Sequence, residues 1–359
     1  MWFNRQKKSS TAKQRNNICL SLLAELSSNG IVLSMQELLQ YQSKTRLIDL
    51  AKKRNIRGKQ AGNYLARSKG RGMEFDEVRH YQTGDDVRAI DWRVTARTGK
   101  THTKLFREEV ERPVLVATDL SANMQFGSKL LYKSVQAAHL AALVAWHAKS
   151  KGDRLGGLVF NEAHHIELKP KSRKAGVLHY LHALTTLNNQ YPQKKIDKLN
   201  DLEPNNYQEV SDNKAIDQTI FKQNTFEQQC ARLRHMAKPG SLVYLITDGF
   251  ALQDSQNCPH VLRHLSQISQ HCELVVCMIS DPLEQALPES DFKLPVSLTD
   301  GVHRQQLTLG DINTAAQYHQ KAIELADTIQ HKLSSVGARV IKFSAGQPLE
   351  QQLSFGDLL

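Results

Sequence analysis

The chain has 359 residues, 40% of them hydrophobic, and a formal net charge of +11 at neutral pH. This length holds one large domain or two smaller ones, and the apolar fraction suffices for a sizeable core. The longest apolar runs fall well short of the about 18 residues that a membrane span requires. Five cysteines without a CxxC pair predict reduced thiols, and no clear signal peptide precedes them, so we expect a cytoplasmic protein without a membrane span.

The excess positive charge lies in the N-terminal third of the chain. Residues 1–112 contain 23 Lys and Arg against 12 Asp and Glu, whereas residues 113–359 contain 24 of each. Such a basic segment binds nucleic acid or an anionic surface, or is a solvated face without a ligand. The basic run at residues 51–59 has no interleaved aromatic residues, which disfavours single-strand binding by stacking. Nucleic-acid binding therefore stays the less favoured hypothesis.

The first 112 residues divide into two predicted regions. Residues 1–60 predict a basic helical region, in which Ser34 caps a helix that runs from Met35 to Leu50. Residues 61–112 are polar, rich in charge and punctuated by glycines, and the alternation after Thr101 predicts a half-exposed strand. We expect this second region to pack on the sheet of the domain that follows.

Residues 113–359 predict an α/β domain with a doubly wound, mostly parallel sheet. The expected strands and helices alternate along the chain: strands at 113–118, 154–160, 241–247, 273–280 and 338–343, and helices at 128–149, 175–187, 226–237, 258–270 and 312–336. Residues 188–224 are polar and lack periodicity, so they predict a long exposed insertion that is partly disordered.

Two of the predicted strands end in an aspartate. The first ends in Asp119, which Ser121 and Asn123 follow at two-residue spacing, and the third ends in Asp248. In open α/β sheets, ligands bind outside the carboxyl ends of the strands, so these side chains are expected at one edge. Oxygen ligands at this spacing suit a hard cation such as Mg²⁺ or Mn²⁺. The helix expected from residue 128 also points its positive end toward this edge.

Thr225 is the candidate for a further ligand, because it opens the helix whose following strand ends in Asp248. The segment from Thr225 to Gln228 also fits a capping box, which is a purely structural role. Asn123 and Asp248 likewise have turn interpretations. Asp119 and Ser121 are therefore the ligands that the pattern favours most.

The loop Asp119-Leu-Ser121-Ala-Asn123 resembles the metal-ion-dependent adhesion site, or MIDAS, of von Willebrand factor A domains. That motif is D-x-S-x-S with a distant Thr and Asp, and this chain has Asn123 where the family has Ser. The resemblance implies that the bound metal keeps an open position, which an acidic residue of a partner protein fills.

A second resemblance covers residues 69–128 strongly and the rest of the α/β region loosely. The segment from Lys69 to Gly99 and the following Thr103-Lys-Leu-Phe-Arg-Glu-Glu109 are similar to the signature of the domain of unknown function 58 family. Members of that family resemble von Willebrand A domains and are often encoded beside MoxR-type AAA+ ATPases. The resemblance implies an adaptor that acts with such an ATPase on an unknown client protein, in chaperone-like assembly or cofactor insertion.

The centre of this signature, residues 84–93, interleaves carboxylates with arginines. One interpretation is a buried network of ion pairs and caps that docks this segment onto the sheet, in which Asp85 or Asp86 caps a short helix and Trp92 anchors it. The other is a partner-binding surface or a second acidic metal site. The residues concerned are Asp85, Asp86, Arg88, Asp91, Trp92 and Arg93.

A metal-dependent hydrolase is the alternative from the enzyme class. It would need a nucleophile or a general base beside the cation. The sequence contains no HExxH, Walker A or GxSxG motif. We therefore expect a non-enzymatic interaction module with a metal-assisted binding site, ahead of a nucleic-acid binder and a hydrolase.

Overall fold

The computed structural model describes residues 19–48, 73–108, 112–190, 226–253, 257–288, 290, 292–299 and 304–354. They form two compact units, of which the smaller lies within residues 58–111 and the larger contains the rest. No helix within these ranges is both long and apolar enough to cross a membrane. All five cysteines are free thiols, as the absence of a CxxC pair predicted, and four of them are buried.

The small unit is an antiparallel pair of strands with short helices between them in sequence. Strand β1 (Met73–His80) pairs with β2 (His102–Glu108), which confirms the strand expected after Thr101. A 3-10 helix at Val87–Ala89 and an α-helix at Trp92–Thr98 lie in the connection. Gly99 ends the α-helix with a φ of 69°, the left-handed conformation that glycine adopts most readily.

The large unit is built on a six-stranded sheet. Its strands are β3 (Pro113–Asp119), β4 (Arg154–Phe160), β5 (His165–Lys171), β6 (Leu242–Thr247), β7 (Glu273–Ser280) and β10 (Arg339–Ser344). The order across the sheet is β10-β7-β6-β3-β4-β5, and every pairing is parallel except that of β4 with β5. A separate antiparallel pair joins β8 (Leu294–Thr299) to β9 (Arg304–Leu309). The mixed α/β fold with a mostly parallel sheet is thus confirmed.

Helices cover both faces of this sheet. Alternate residues of β3 point to opposite faces, with Val114 and Val116 in one core and Leu115 and Ala117 in the other. The first core holds the helices Lys133–Ser150, Arg173–Asn188 and Leu349–Ser354, and the second holds a helix at residues 226–236 with Cys258–Ser269 and Ile312–Ser335. The continuous apolar character of β3 follows from burial on both sides.

Residues 19–48, called here the N-terminal clasp, pack on the helix Lys133–Ser150 in the same core as one face of the sheet. The clasp includes a helix at Met35–Leu39 with a 3-10 turn at Gln40–Gln42, and Ser34 caps it as predicted. Trp146 Nε1 donates to the carbonyl of Leu38 at 3.2 Å. His139 Nε2 and Glu37 Oε1 form a buried hydrogen-bonded contact at 2.5 Å. Because the helix is buried along most of its length, it needs no polar face.

Several predicted boundaries were wrong. The helix expected from residue 128 begins at Lys133, and the one expected to reach Leu50 ends at Leu39. The helix Arg173–Asn188 includes the first residue of the expected insertion, and residues 191–225 lie outside the described ranges. Strand β5, the pair β8–β9 and a one-turn helix at Pro282–Gln285 were not predicted.

Candidate functional site

Asp119 and Asp248 lie at the carboxyl ends of neighbouring strands. The parallel register of β3 and β6 pairs Thr118 with Ile246, which brings the next residues, Asp119 and Thr247, side by side. The Thr247 hydroxyl donates to Asp119 Oδ2 at 2.8 Å. From β3 the chain first adds β4 and β5 on one side of the sheet, and then β6, β7 and β10 on the other side. The boundary between β3 and β6 is therefore the point where the strand order reverses, and ligands bind at this point in open α/β sheets. The expectation that the two strand ends share one edge is confirmed.

The Asp119 carboxylate is buried and hydrogen-bonded. Its Oδ1 accepts the backbone N–H of Ser121 at 2.9 Å, and the Ser121 hydroxyl also bonds the carboxylate. Burial, followed by the nearby charge of Asp248, raises the pKa of Asp119 to about 7, although the hydrogen bonds from Ser121 and Thr247 oppose that shift. Among the described residues, no basic side chain forms an ion pair with Asp119. Within the described part of the chain, its charge is stabilised only by the hydrogen bonds from Ser121 and Thr247.

Asp248 has a different environment because it pairs with Lys133. The Lys133 ammonium donates to Asp248 Oδ2 at 2.9 Å and to Glu284 Oε1 at 2.6 Å. The side chains of Lys133 and Asp248 are 3% and 7% exposed. Burial lowers the pKa of Lys133, but the carboxylates of Asp248 and Glu284 outweigh it, so the pKa is raised and the amine stays charged. The other oxygen of Asp248 accepts the backbone N–H of Phe250 at 2.9 Å.

The turn after β7 connects this ion pair to the loop after β3. Asp281 caps the helix Pro282–Gln285 in a reciprocal capping box with Glu284, whose Oε2 accepts the Asp281 N–H at 2.9 Å. Asp281 also accepts the backbone N–H and the hydroxyl of Ser128 at 2.8 and 2.5 Å. Ser128 thus ties the loop to this turn instead of opening the helix, which starts five residues later.

The other predicted ligands lie on the loop itself or outside the described ranges. Ser121 precedes a 3-10 helix at Ala122–Met124, which contains Asn123, and both side chains are half-buried. Thr225 falls in the range that the structure does not describe. Within the described ranges, no group of three or more His, Cys, Asp or Glu side chains could hold a metal. A cation at this edge would therefore depend on hydroxyl and amide oxygens besides the two carboxylates.

Sequence reasoning missed Lys133, Glu284 and Thr247. The segment Asp281-Pro-Leu-Glu284 carries the capping-box pattern with proline at the first helical position, so the turn that places Glu284 had a local signal. Lys133 had none, since a lysine at the start of an apolar helix usually lies on the surface. Its partners are 115 and 151 residues away in the chain.

In the small unit, the signature carboxylates serve local structure. Asp86 accepts the backbone N–H of Arg88 and caps the 3-10 helix, and Asp91 caps the helix Trp92–Thr98. Asp85 accepts the N–H of Gln82 and pairs with Arg79 at 2.7 Å, and these contacts lower its pKa, the Gln82 bond most. The expected cap at Asp86 is thus confirmed, but the expected burial of the network is wrong, because Asp86, Arg88 and Arg93 are exposed.

The anchoring role expected for Trp92 was wrong. Its side chain is 67% exposed, and Val87 in the same unit is 60% exposed. Arg88 and Arg93 are also exposed. Trp92 is the first residue of its helix, and the helix start is fixed by the Asp91 cap rather than by burial of the indole.

The chain is similar to a family described as "Protein of unknown function DUF58", which matches residues 77–327. Uncharacterized proteins of Mycobacterium bovis and of two Mycobacterium tuberculosis strains are each 36% identical to it over 118 residues. That stretch is 33% of this chain and 37% of each relative. The chain therefore matches little more than a third of the length of these curated relatives, whereas the family match includes Asp119, Lys133, Asp248 and Glu284.

Proposed function

The chain belongs to the DUF58 family, and on that premise we propose that it is a von Willebrand factor A-like interaction module. It holds a divalent cation at the Asp119 loop and through it binds an acidic side chain of a partner protein. It acts as an adaptor for a MoxR-type AAA+ ATPase in chaperone-like assembly of a client. The observation that carries the proposal is a buried Asp119 carboxylate, at the switch point of the sheet, whose charge no described basic side chain compensates.

The residues at this edge fit Mg²⁺ or Mn²⁺ better than a soft transition metal. Asp119, Ser121 and Asn123 offer carboxylate, hydroxyl and amide oxygens from one loop, with Asp248 across the strand boundary. Thr225 is the remaining candidate ligand. Such an all-oxygen set suits hard cations. When bound, the cation supplies an open coordination position for the carboxylate of the partner.

The electrostatics favour the same arrangement. Burial raises the pKa of Asp119, and the carboxylate of Asp248 raises it further because two carboxylates close together away from water repel each other. A divalent cation compensates this repulsion, whereas protonation compensates it only below the raised pKa. Metal binding should therefore stabilise the folded protein at neutral and alkaline pH.

The direct test is metal-dependent thermal unfolding of the full chain. Mg²⁺ or Mn²⁺ at 100 times the dissociation constant should stabilise the wild type by about 2.7 kcal/mol, and Asp119→Ala should abolish the rise in melting temperature. Asp327→Ala, which removes an exposed carboxylate from the helix Ile312–Ser335, is the matched control and should keep it. If neither cation changes the melting temperature of the wild type, the metal part of the proposal is contradicted.

The adaptor role needs a separate measurement. A purified MoxR-type ATPase from the same organism should bind the immobilised chain with Mg²⁺ present, and EDTA or Asp119→Ala should release it. Asp327→Ala should bind as the wild type does. If the ATPase binds equally well with EDTA, the metal does not mediate that contact and the adaptor mechanism is wrong.

A hydrolase remains the second candidate because of one observation. A carboxylate with a pKa of about 7 is suited to act as a general base at neutral pH. The enzyme hypothesis predicts metal-dependent turnover of phosphoester or peptide substrates that Asp119→Asn abolishes. No turnover by the metal-loaded wild type on panels of both substrate classes would eliminate it.

A further inference from the structure

A buried lysine lies against the candidate metal ligands. Lys133 is the first residue of the helix Lys133–Ser150 and is 2% exposed. Its ammonium contacts Asp248 from the loop after β6 and Glu284 from the turn after β7. A buried lysine is stable only when its charge is paired, and these two carboxylates supply that pairing.

The positions of these groups give the lysine a relation to the metal site. Lys133 takes one oxygen of a predicted ligand, Asp248, while Asp119 on the adjacent strand has no described cationic partner. When ionised, Asp119, Asp248 and Glu284 together with Lys133 carry a net charge of about −2. A divalent cation would neutralise that charge in full, but it would do so beside an ammonium group that repels it.

We propose that Lys133 is a built-in counter-ion of the metal site, which holds Asp248 in position without metal and lowers the affinity of the site for divalent cations. This inference rests on the proposed metal site at Asp119. It makes Lys133 a positioning residue with an opposing charge, since the same ammonium orders the ligand and repels the cation. Glu284 partly offsets the repulsion because it neutralises Lys133 from the other side.

The test is the affinity of the full chain for Mn²⁺. It is measured by titrating Mn²⁺ with the protein and following the loss of the electron paramagnetic resonance signal of the free ion. Lys133→Met, which keeps much of the side-chain length without the charge, should bind Mn²⁺ at least about tenfold more tightly than the wild type, equivalent to about 1.4 kcal/mol. It should also melt at a lower temperature in EDTA, and saturating Mn²⁺ should close most of that gap. Lys129→Met removes an exposed positive charge from the same loop and should change the affinity less than twofold.

A second variant covers the case in which Lys133→Met does not fold without metal. Glu284→Gln removes one negative charge and leaves the ammonium to Asp248 alone, so Mn²⁺ should bind several-fold more weakly than in the wild type. Affinity that is unchanged or weaker in Lys133→Met, or unchanged or tighter in Glu284→Gln, would overturn the inference.

The outcomes for the wild type separate the two proposals. If the wild type binds Mn²⁺ and Lys133→Met does not bind it more tightly, the metal site stands and the counter-ion role fails. If the wild type binds no Mn²⁺ but Lys133→Met does, the counter-ion role is supported in its extreme form and the metal-dependent function of the native chain fails. If neither binds, both fail.

Discussion

Replacing Asp119 with Asn should make the metal-free protein more stable at pH 8 and remove much of its pH dependence between about pH 4 and pH 7. In the folded protein the pKa of Asp119 is raised from 3.8 to about 7, chiefly by burial. Asn keeps an oxygen that accepts from Ser121, and the Thr247 hydroxyl can accept from the new amide. The variant therefore removes the buried charge while the local hydrogen bonds persist.

The sign of this effect follows from proton linkage. Below pH 4 the folded and unfolded states are both protonated at Asp119, and the group does not change the free energy of unfolding. As the pH rises, the unfolded state loses its proton first, so stability falls until the pH passes the folded pKa of about 7. One pKa unit is equivalent to about 1.4 kcal/mol, so the wild type should lose on the order of a few kcal/mol across this window.

Urea unfolding in EDTA at pH 5 and pH 8 measures this loss. The wild type should be clearly less stable at pH 8, and Asp119→Asn should show a much smaller difference. Asp327→Asn is the control for removal of an exposed carboxylate and should follow the wild type. Parallel loss of stability in the wild type and Asp119→Asn would mean that Asp119 ionises normally in the folded state. With saturating Mg²⁺ the order at pH 8 should reverse, since only the wild type binds the cation.

Deleting residues 1–48 should unfold the large unit, whereas deleting residues 1–17 leaves the whole clasp in place. The longer deletion removes Leu26, Leu33, Leu38 and Tyr41, each at most 4% exposed. At about 1.5–3 kcal/mol for each buried side chain, their loss would be about 6–12 kcal/mol, similar to the about 5–15 kcal/mol that stabilises a whole domain. It would also uncover the apolar helix Lys133–Ser150. The shorter deletion touches no contact that the structure describes.

Soluble yield and the far-ultraviolet circular dichroism melt of both truncations test this prediction. A folded, soluble 49–359 fragment with the wild-type melting temperature would show that the clasp is not part of the core. The result also determines how nucleic-acid binding through the basic N-terminus must be tested. The suitable variant lacks residues 1–17 and carries Lys52→Gln, Lys53→Gln and Arg54→Gln, so that it loses positive charge and keeps the clasp. If this variant binds nucleic acid with the same affinity and salt dependence as the wild type, the basic N-terminus is not the binding surface.

The parts of the fold that the sequence predicted well are those with a strong local pattern. Strands β3 and β6 are apolar on both sides and end in Asp119 and near Asp248, so their type and their shared edge were readable from the chain. Strand β5 was missed because its residues alternate between half-buried and exposed positions and include Pro170. It lies at the edge of the sheet, where proline and charge are tolerated, and so it lacks the apolar run that marks an inner strand.

The sequence predicted the carboxylates at the two strand ends but not the basic residue between them. Asp119 and Ser121 share a loop, so their proximity follows from spacing alone. Lys133, Asp248 and Glu284 come from three separate segments of the chain. No local sequence pattern predicts that they pair. For Trp92 the local pattern was misleading, since a large aromatic residue beside charged residues suggests a buried anchor. The indole is exposed instead, and the Asp91 cap suffices to start its helix.

The helix Lys133–Ser150 carries the site at one end and the clasp along its length. Its 18 residues form a rod about 27 Å long, at about 1.5 Å per residue. Glu37 and Leu38 of the clasp form hydrogen bonds with His139 and Trp146 of this helix. At the N-terminal end of the helix, Lys133 donates to Asp248 at 2.9 Å. A shift of the helix by one residue along its axis would move the backbone of Lys133 by about 1.5 Å relative to Asp248. Mechanical load applied to the clasp would therefore reach the carboxylates directly, as a change in the distance between a lysine and an aspartate.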